Sequence, residues 1–592
     1  MAERSAGPRS WPLVPAVLLA LAAAVSGCGT IPSSGPVETA GPIADSERQP
    51  VRLKVFPLPP RPGDSPAGVV GGFLQAATND ATGYPIARQY LATPVRSGWR
   101  PQGVQVYEAG QGRTLRGAEA DIDLTGTAVG QVDEEGGYRP QNGQQQVTTR
   151  FHLVSEAGQW RIANPPSQLH ILRFDFERVF RTYNLYFLDR NRRMLVPDPI
   201  WLPNQPGITT ELVVRLLRGP TSWLRPAVTT AFPPRTVLAG EQVAVQESTA
   251  VVPLSRALRD AGQDDLRNLS AQLVWTLTQV PGITAIQLST PGVGLGTAEN
   301  GGSGESPERR TRESLRSYNP NLPDPDSTGY YLKGTRLVAV GRGPVDGPFG
   351  EGRVEAAVVA VEPASNRRAA AISADRTSVR VAALTRDAAV STWLTGAKAL
   401  TALSWDGAGN LWAAGSAPDG SPRIWVLRGD PDQPRVLTAT VDGLSGTVRQ
   451  LRISRDGARV ALVVGGDEAG DEGPAPRALL LGRVEWSNLP EAVHVVIRGL
   501  TPLTPNLSSV QDVAWSGPGA LTVLGVADGP QVYEVTVDGW RVTPVQTGVA
   551  GPLSVAAAAG QPLMVTAESA VYQHSRAGWR RLDVGRSPVY PG

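Results

Sequence analysis

The chain has 592 residues, 41% hydrophobic and 19% charged, which is enough for roughly three to five domains of ~100–200 residues each. Its net charge of +2 offers no global field to attract nucleic acid, and its 65 glycines and 52 prolines speak for many turns between short strands. One cysteine, Cys28, excludes an intramolecular disulfide and cysteine-rich zinc sites, and lysine occurs only at Lys54, Lys333 and Lys398, an arginine bias that reads as coding preference before chemistry.

Residues 1–27 read as a secretory signal. Arg4 and Arg9 precede the apolar run WPLVPAVLLALAAAV at 11–25, which is short of the ~20 residues a bilayer span needs. Val25-Ser26-Gly27-Cys28 resembles the bacterial lipobox, an aliphatic residue and two small ones before cysteine. The resemblance implies cleavage between Gly27 and Cys28 and an N-palmitoyl, S-diacylglycerol Cys28. A structural cysteine in an ordinary signal anchor is the alternative. No later segment offers ~18 consecutive apolar residues, so the acylated Cys28 is the expected contact with the bilayer, and two or three acyl chains hold firmly. The expected location is the extracytoplasmic face of the plasma membrane.

Residues 28–65 are rich in Pro, Gly and Ser and read as an extended tether. A first folded unit is expected at 66–167. Ser65-Pro66 suits a helix start, and Val69, Val70, Phe73, Leu74 and Ala77 recur at helical spacing. A second short helix carries Ile86, Tyr90 and Leu91. Alternating runs follow, with Val147, Thr149, Phe151 and Leu153 on one face and Trp160 and Ile162 on another. Helices followed by a curled antiparallel sheet resemble an NTF2-like or cystatin-like α+β domain. Asp133, Glu134 and Glu135 stand before Gly136-Gly137 and read as a solvated hairpin tip rather than an acid–base cluster.

A second unit is expected at 180–295, in the order strand, helix, strand, helix, strand. The strand TYNLYFLDRN precedes a helix that carries Leu212, Val213, Leu216 and Leu217 and stops at Gly219-Pro220. The strand AVVPLS precedes a helix with Leu266, Leu269, Leu273, Leu277 and Val280 along one stripe, and ITAIQLST closes the unit. The LYFLD strand, the LLRGP helix end and QLVWTLTQVPGI resemble the GerMN domain, which implies a binding or assembly module. Both stripes also fit the core faces of some other α/β domain. Residues 296–328 read as a second linker whose basic cluster, Arg309, Arg310 and Arg312, is solvated or touches an anionic surface.

From 329 to 592 short β-branched runs alternate with Gly, Asp, Ser and Pro. TALSWDGAGNLWAAG and QLRISRDGARVALVV align with Ser404 on Ser454 and Asp406-Gly407 on Asp456-Gly457, an offset of 50 residues. Weaker copies surround Ser373, Trp515, Ser554 and Tyr331. Each unit is strand, Asp-Gly-type turn, strand, and repeats of this kind predict a β-propeller of five or six blades, with one or two β-sandwiches as the alternative. Trp393, Trp405, Trp412 and Trp425 are expected to pack between blades. The fold class is therefore multidomain, two small α+β domains followed by an all-β propeller.

Catalytic patterns are missing. His152, His170, His494 and His574 sit in no zinc-hydrolase or Cys/His ligand spacing, and there is no P-loop, nucleophile elbow or dinucleotide fingerprint. Asp467, Glu468, Asp471 and Glu472 lack the spacing of a calcium loop. No catalytic residue, metal or cofactor is expected. The order lipobox, NTF2-like unit, GerMN unit, propeller resembles the actinobacterial LpqB lipoprotein family over essentially the whole mature chain. That resemblance implies a non-catalytic accessory protein that contacts the extracytoplasmic domain of a sensor histidine kinase (MtrB-like) and modulates an MtrA–MtrB type two-component system, with effects on cell-envelope homeostasis and division. The alternative is a cell-wall or sugar-binding receptor or enzyme using the propeller mouth.

Overall fold

The computed structural model describes residues 57–592, apart from 80–82, 109–112, 142–145, 291–307, 322–326, 364–367, 430–432, 467–468, 471–472, 475, 489–492, 547 and 576–577. The signal segment, Val25, Ser26, Gly27, Cys28 and most of the tether lie outside the described residues, as do Asp467, Glu468, Asp471 and Glu472.

The first domain sets helix α1 (Pro66–Asn79) and the single turn α2 (Thr93–Arg96) against a curved sheet. Gly68 N–H donates to Ser65 Oγ at the start of α1 (3.2 Å), and Val69, Val70, Phe73 and Leu74 form its buried face. The strands are β1 (Val104–Tyr107), β2 (Arg113–Ala118), β3 (Asp121–Val132), β4 (Tyr138–Pro140), β5 (Gln146–Glu156), β6 (Gln159–Ile162) and β7 (Leu169–Leu172). They run β6-β5-β3-β1-β7, with β2 and β4 also pairing with β3. Alternation along β3 and β5 turns Ile122, Leu124, Phe151 and Leu153 onto α1, where Phe73 meets Phe151 edge-on (6.2 Å between ring centres). One detail departs from the expected antiparallel sheet. The chain crosses from the β6 edge to the opposite edge, so β7 arrives parallel to β1.

A short helix α3 (Arg173–Val179) leads into the second domain. Its strands β8 (Phe180–Leu188) and β9 (Leu195–Pro203) form a hairpin, followed by α4 (Ile208–Arg218), β10 (Ala244–Gln246), β11 (Thr249–Pro253), α5 (Gln263–Leu277), β12 (Ala285–Ser289) and β13 (Arg309–Thr311). β11 and β12 are parallel across α5, and β10 and β13 flank them in the sheet β10-β11-β12-β13. The expected stripes are core: Leu212, Val213, Leu216, Leu266, Leu269, Leu273 and Leu277 are buried together.

Three elements were not in the expected order: β9, the short edge strand β10, which pairs antiparallel with β11, and β13. β9 carries Pro197 and Pro199, which disguise a strand; spaced by two, they share one class of ladder position, and the Pro197 carbonyl points away from β8 to accept from Arg459. β13 lies inside the expected linker and extends the sheet antiparallel to β12. The basic cluster there is only partly solvated: Arg309 and Arg312 are exposed, as expected, but Arg310 is buried in the fold. Buried Arg310 donates to Leu266 O (2.8 Å) and Ser270 Oγ on α5, Arg309 to Thr249 Oγ1 (3.1 Å) and Arg312 to Thr278 Oγ1 (2.6 Å). The carbonyl and hydroxyls on α5 and its surroundings give these guanidinium groups partners that a sequence pattern cannot display.

Among the described residues the C-terminal half forms six four-stranded blades. Their innermost strands are Arg586–Val589 (blade I), Ala356–Val361 (II), Ala399–Trp405 (III), Thr447–Ile453 (IV), Ser509–Gly517 (V) and Pro552–Ala556 (VI), each beside the next and the last beside the first. Blade I takes its inner strand from the C-terminal segment, which pairs with Tyr330–Lys333 and closes the ring. The 50-residue offset is the step between blades III and IV. Gly457 has φ 71° as a tight turn requires, whereas Gly407 is needed for space, since a Cβ there would lie 2.4 Å from Arg455 O. Trp393, Trp405, Trp412 and Trp425 are buried within and between blades. Ala439–Val441 of blade III pairs in parallel with Val495–Ile497 of blade IV, so these two blades share one eight-stranded sheet.

Candidate functional site

The inner strands end around an axial cavity of about 130 Å³. Its wall is largely aliphatic, with Val359, Ile453, Ala514 and Val555, and Met194 and Leu195 of the β8–β9 hairpin reach into it. The hairpin turn is built on Asp189, whose carboxylate accepts the backbone N–H of Asn191 (3.1 Å), Arg193 (2.7 Å) and Met194 (2.6 Å). Burial raises the Asp189 carboxyl despite those bonds.

Charged groups of the wall are engaged within the fold. Arg452 stands 3.8 Å from Asp512 and donates to Leu403 O (3.2 Å). Asp512, raised by burial, accepts the Val555 N–H of blade VI (3.0 Å), so blades IV, V and VI meet at one carboxylate. Asp456 accepts from Ser454 Oγ (2.6 Å), Ala458 N–H (2.9 Å) and Arg459 (2.9 Å). Buried Arg459 lies over Trp515 (5.4 Å) and reaches the Pro197 carbonyl, tying blade IV to β9. Such an arrangement holds domains together; it does not aim acids at a common point in the lumen.

At the outer strands of blade V all three domains converge on Trp540, which follows the Asp538-Gly539 turn. Tyr138 of the first domain, Phe176 of α3 and Trp201 of β9 each lie 5.0 Å from its ring, and the Arg173 guanidinium lies 4.9 Å from it. Trp201 Nε1 donates to Asp538 Oδ2 (3.0 Å), and Trp223 Nε1 to Gly499 O of blade IV (2.8 Å). Asp198 is buried nearby and accepts from Thr221 N–H (2.7 Å) and Oγ1 (2.9 Å); burial pushes its pKa up to about 6.

The β3–β4 tip, expected to be solvated, docks on the second domain. Glu135 accepts from Ser222 N–H (2.7 Å) and Arg225 (3.2 Å), and Arg215 donates to the carbonyls of Glu134 (3.2 Å) and Glu135 (2.9 Å). Burial alone would raise the Glu135 carboxyl, but Ser222 and Arg225 outweigh it and hold it below the usual value. The acids find donors on a domain that begins some forty residues later, which local sequence does not reveal. Asp133 accepts from Gly137 N–H (2.8 Å), its own turn.

The histidines do not converge. His170 Nδ1 is bonded to Tyr107 OH (2.7 Å), His152 Nδ1 lies 3.0 Å from Asp121, and His574 packs on Trp579. Among the described residues no three His, Cys, Asp or Glu are placed to hold a metal ion, and no helix is long and apolar enough to cross a membrane. Sequence reasoning missed Trp201, Trp223, Arg459 and Trp540. A bulky aromatic directly after an Asp-Gly turn, as in VDGW, was the available cue for Trp540.

Family models match in three blocks: "Lipoprotein LpqB, N-terminal domain" at residues 59–177, "Sporulation and spore germination" at 184–294 and "Lipoprotein LpqB beta-propeller domain" at 335–591. Lipoprotein LpqB of Thermobifida fusca is 31% identical over 97% of both chains, and that of Streptomyces coelicolor 30% identical over 100% of both. Among solved structures, the first GerMN domain of the sporulation protein GerM from Bacillus subtilis is 23% identical, covering 22% of this chain and 98% of its own, with a TM-score of 0.19. A virginiamycin B lyase from Staphylococcus aureus is 12% identical, covering 45% of this chain and 87% of its own, with a TM-score of 0.27. End-to-end similarity to these relatives, with both terminal domains matched, shows that the chain belongs to the Lipoprotein LpqB family.

Proposed function

We propose that this protein is a non-catalytic accessory lipoprotein, held through acylated Cys28 on the extracytoplasmic face of the plasma membrane. Its partner is the extracytoplasmic domain of an MtrB-like sensor histidine kinase, and its role is to modulate an MtrA–MtrB type system that governs envelope homeostasis and division. The observation that carries this reading is the hairpin at the propeller's axis. Met194 and Leu195 bring a second-domain hairpin against the axial cavity that a propeller enzyme or sugar receptor would use, and they add apolar side chains to its wall, while Asp456 and Asp512 are spent on ties between blades and domains. Trp393, Trp405, Trp412 and Trp425, which could stack on sugar rings, are buried. What the fold offers instead is a broad frame of loops fixed at a three-domain junction, and binding commonly resides in such loops. Anchoring adaptor and kinase to one membrane raises their effective concentration without demanding high affinity.

The test is direct binding of the full soluble chain, lacking the lipid, to the purified outer domain of the kinase from the same cell, measured on a biosensor. Saturable binding supports the adaptor role. Its absence, in conditions where both partners are folded, removes it.

A further inference from the structure

Trp486, in the third strand of blade IV, carries two guanidinium groups. Arg428 of blade III lies 5.3 Å from its ring centre and Arg190 of the β8–β9 turn 5.4 Å. The indole stands edge-on to buried Trp412, 6.0 Å away. All three groups are set by ordered elements. Arg428 ends the third strand of blade III and Trp486 lies on the third strand of blade IV; the parallel pairing of the two outer strands, Ala439–Val441 with Val495–Ile497, joins these blades into one sheet, and the three N–H bonds to Asp189 shape the turn that projects Arg190.

Among the described residues the nearby acids are already taken. Glu485, next to Trp486, is claimed by Arg483 (2.7 Å) and Arg498 (3.1 Å). Asp189, next to Arg190, is turned inward onto backbone N–H groups. Asp265 pairs with Arg192 (2.5 Å), and Asp442 with Arg498 (2.6 Å). Among the described residues neither Arg190 nor Arg428 has a carboxylate partner. Burial and the charge of Arg428 hold Arg190 below its ordinary value, the mark of two cations sharing one partly desolvated platform. Guanidinium groups present planar forks of donors that fit carboxylate and phosphate oxygens.

We propose that the seam between the β8–β9 turn and blades III and IV is an oxyanion-binding site, with Arg190 and Arg428 as the donors and Trp486 as the platform that orients them. The ligand group is a carboxylate or a phosphate. Because the two arginines belong to different domains, a bound anion clamps the second domain to the propeller and stabilises the folded chain by mass action.

The experiment is thermal unfolding of the full soluble chain at constant ionic strength, titrated in parallel with inorganic phosphate, pyrophosphate, succinate and sodium chloride. The expected result is a saturable rise in Tm with phosphate species or with succinate beyond that with chloride, and the effective arm identifies the chemistry. Arg190→Gln and Arg428→Gln should each weaken the apparent affinity about tenfold, the loss of one charge-assisted contact. Arg580→Gln, on blade VI, should not change it. Arg190→Lys keeps the charge but loses the fork and should fall between. Unshifted Tm values without added anion verify that the variants fold. A rise no larger than that with chloride, or one that survives both Gln substitutions together, overturns the site.

Discussion

The indole N–H of Trp201 donates to the Asp538 carboxylate across 337 positions of chain, at 3.0 Å, and joins the second domain to blade V of the propeller. Two residues beyond Asp538, Trp540 fills the space between Tyr138, Phe176 and Trp201, so one turn of one blade touches both preceding domains. The carboxylate also accepts the Trp540 backbone N–H (3.1 Å), which couples the turn's shape to the inter-domain bond.

Trp540→Ala therefore empties a junction rather than a single core. Removing a buried aromatic costs about 3–5 kcal/mol, and the expected loss in urea unfolding is at the lower end because three domains can settle toward the gap. Trp540→Phe keeps ring contacts and should lose less. A loss below about 1 kcal/mol for the alanine variant would mean that the junction contributes little.

Arg310 offers a second measure of a long-range tie. Arg310→Met keeps the aliphatic stem but removes the guanidinium's bonds to the Leu266 carbonyl, the Ser270 hydroxyl and Glu308; because Ser270 Oγ still donates to Leu266 O, the expected cost is that of lost charge-assisted bonds, about 1.5–3 kcal/mol. Arg316, in an exposed pair with Glu313, is the control, and Arg316→Ala should stay within about 0.5 kcal/mol. Equal effects from the two substitutions would contradict the buried role of Arg310.

Asp198 gives the junction a pH dependence with a definite sign. Its carboxyl titrates near 3.8 when unfolded and at about 6 in the fold, because burial disfavours the charged form. Below the unfolded value both states are protonated. As pH climbs from the lower to the higher value, the unfolded chain releases its proton first, so stability falls, by about 3 kcal/mol in all, and then levels off. Carboxyls held low, such as Glu135, contribute the opposite slope. The diagnostic quantity is thus the difference between wild type and Asp198→Asn in chemical denaturation across this range. That difference should change by about 3 kcal/mol in the stated direction; a difference independent of pH would rule out the assignment.

What the sequence made legible follows from the range of the interactions involved. The α4 and α5 stripes and the Ser404–Ser454 repeat are local periodicities, and burial in the structure follows them. The number of blades could not be read as closely, because blade I borrows Arg586–Val589 from the far end of the chain. β9 was hidden by Pro197 and Pro199, whose missing N–H groups cost nothing in a two-stranded ribbon. Arg310 and Glu135 were illegible for a common reason: each looks like a surface residue until the segment that covers it, far off in sequence, is in place; Trp540 had a local cue in VDGW, but its partners Tyr138, Phe176 and Trp201 lie in domains far upstream.

The proposed acylation at Cys28 rests on chemistry rather than on packing. A thiolate is a nucleophile able to take a diacylglyceryl group, and hydroxyl is far less nucleophilic at neutral pH. Cys28→Ser should therefore leave a chain that incorporates no labelled fatty acid and retains residues 1–27 or is cut elsewhere, detected by metabolic labelling and mass spectrometry of the N-terminus. Such a chain should also leave the membrane fraction once any uncut signal is removed by an engineered protease site after residue 28, since none of the described helices can span a bilayer. Fatty-acid label on the serine variant would place the acyl chains elsewhere and overturn the role of Cys28; label lost but membrane association retained after cleavage would show a second attachment through the folded domains.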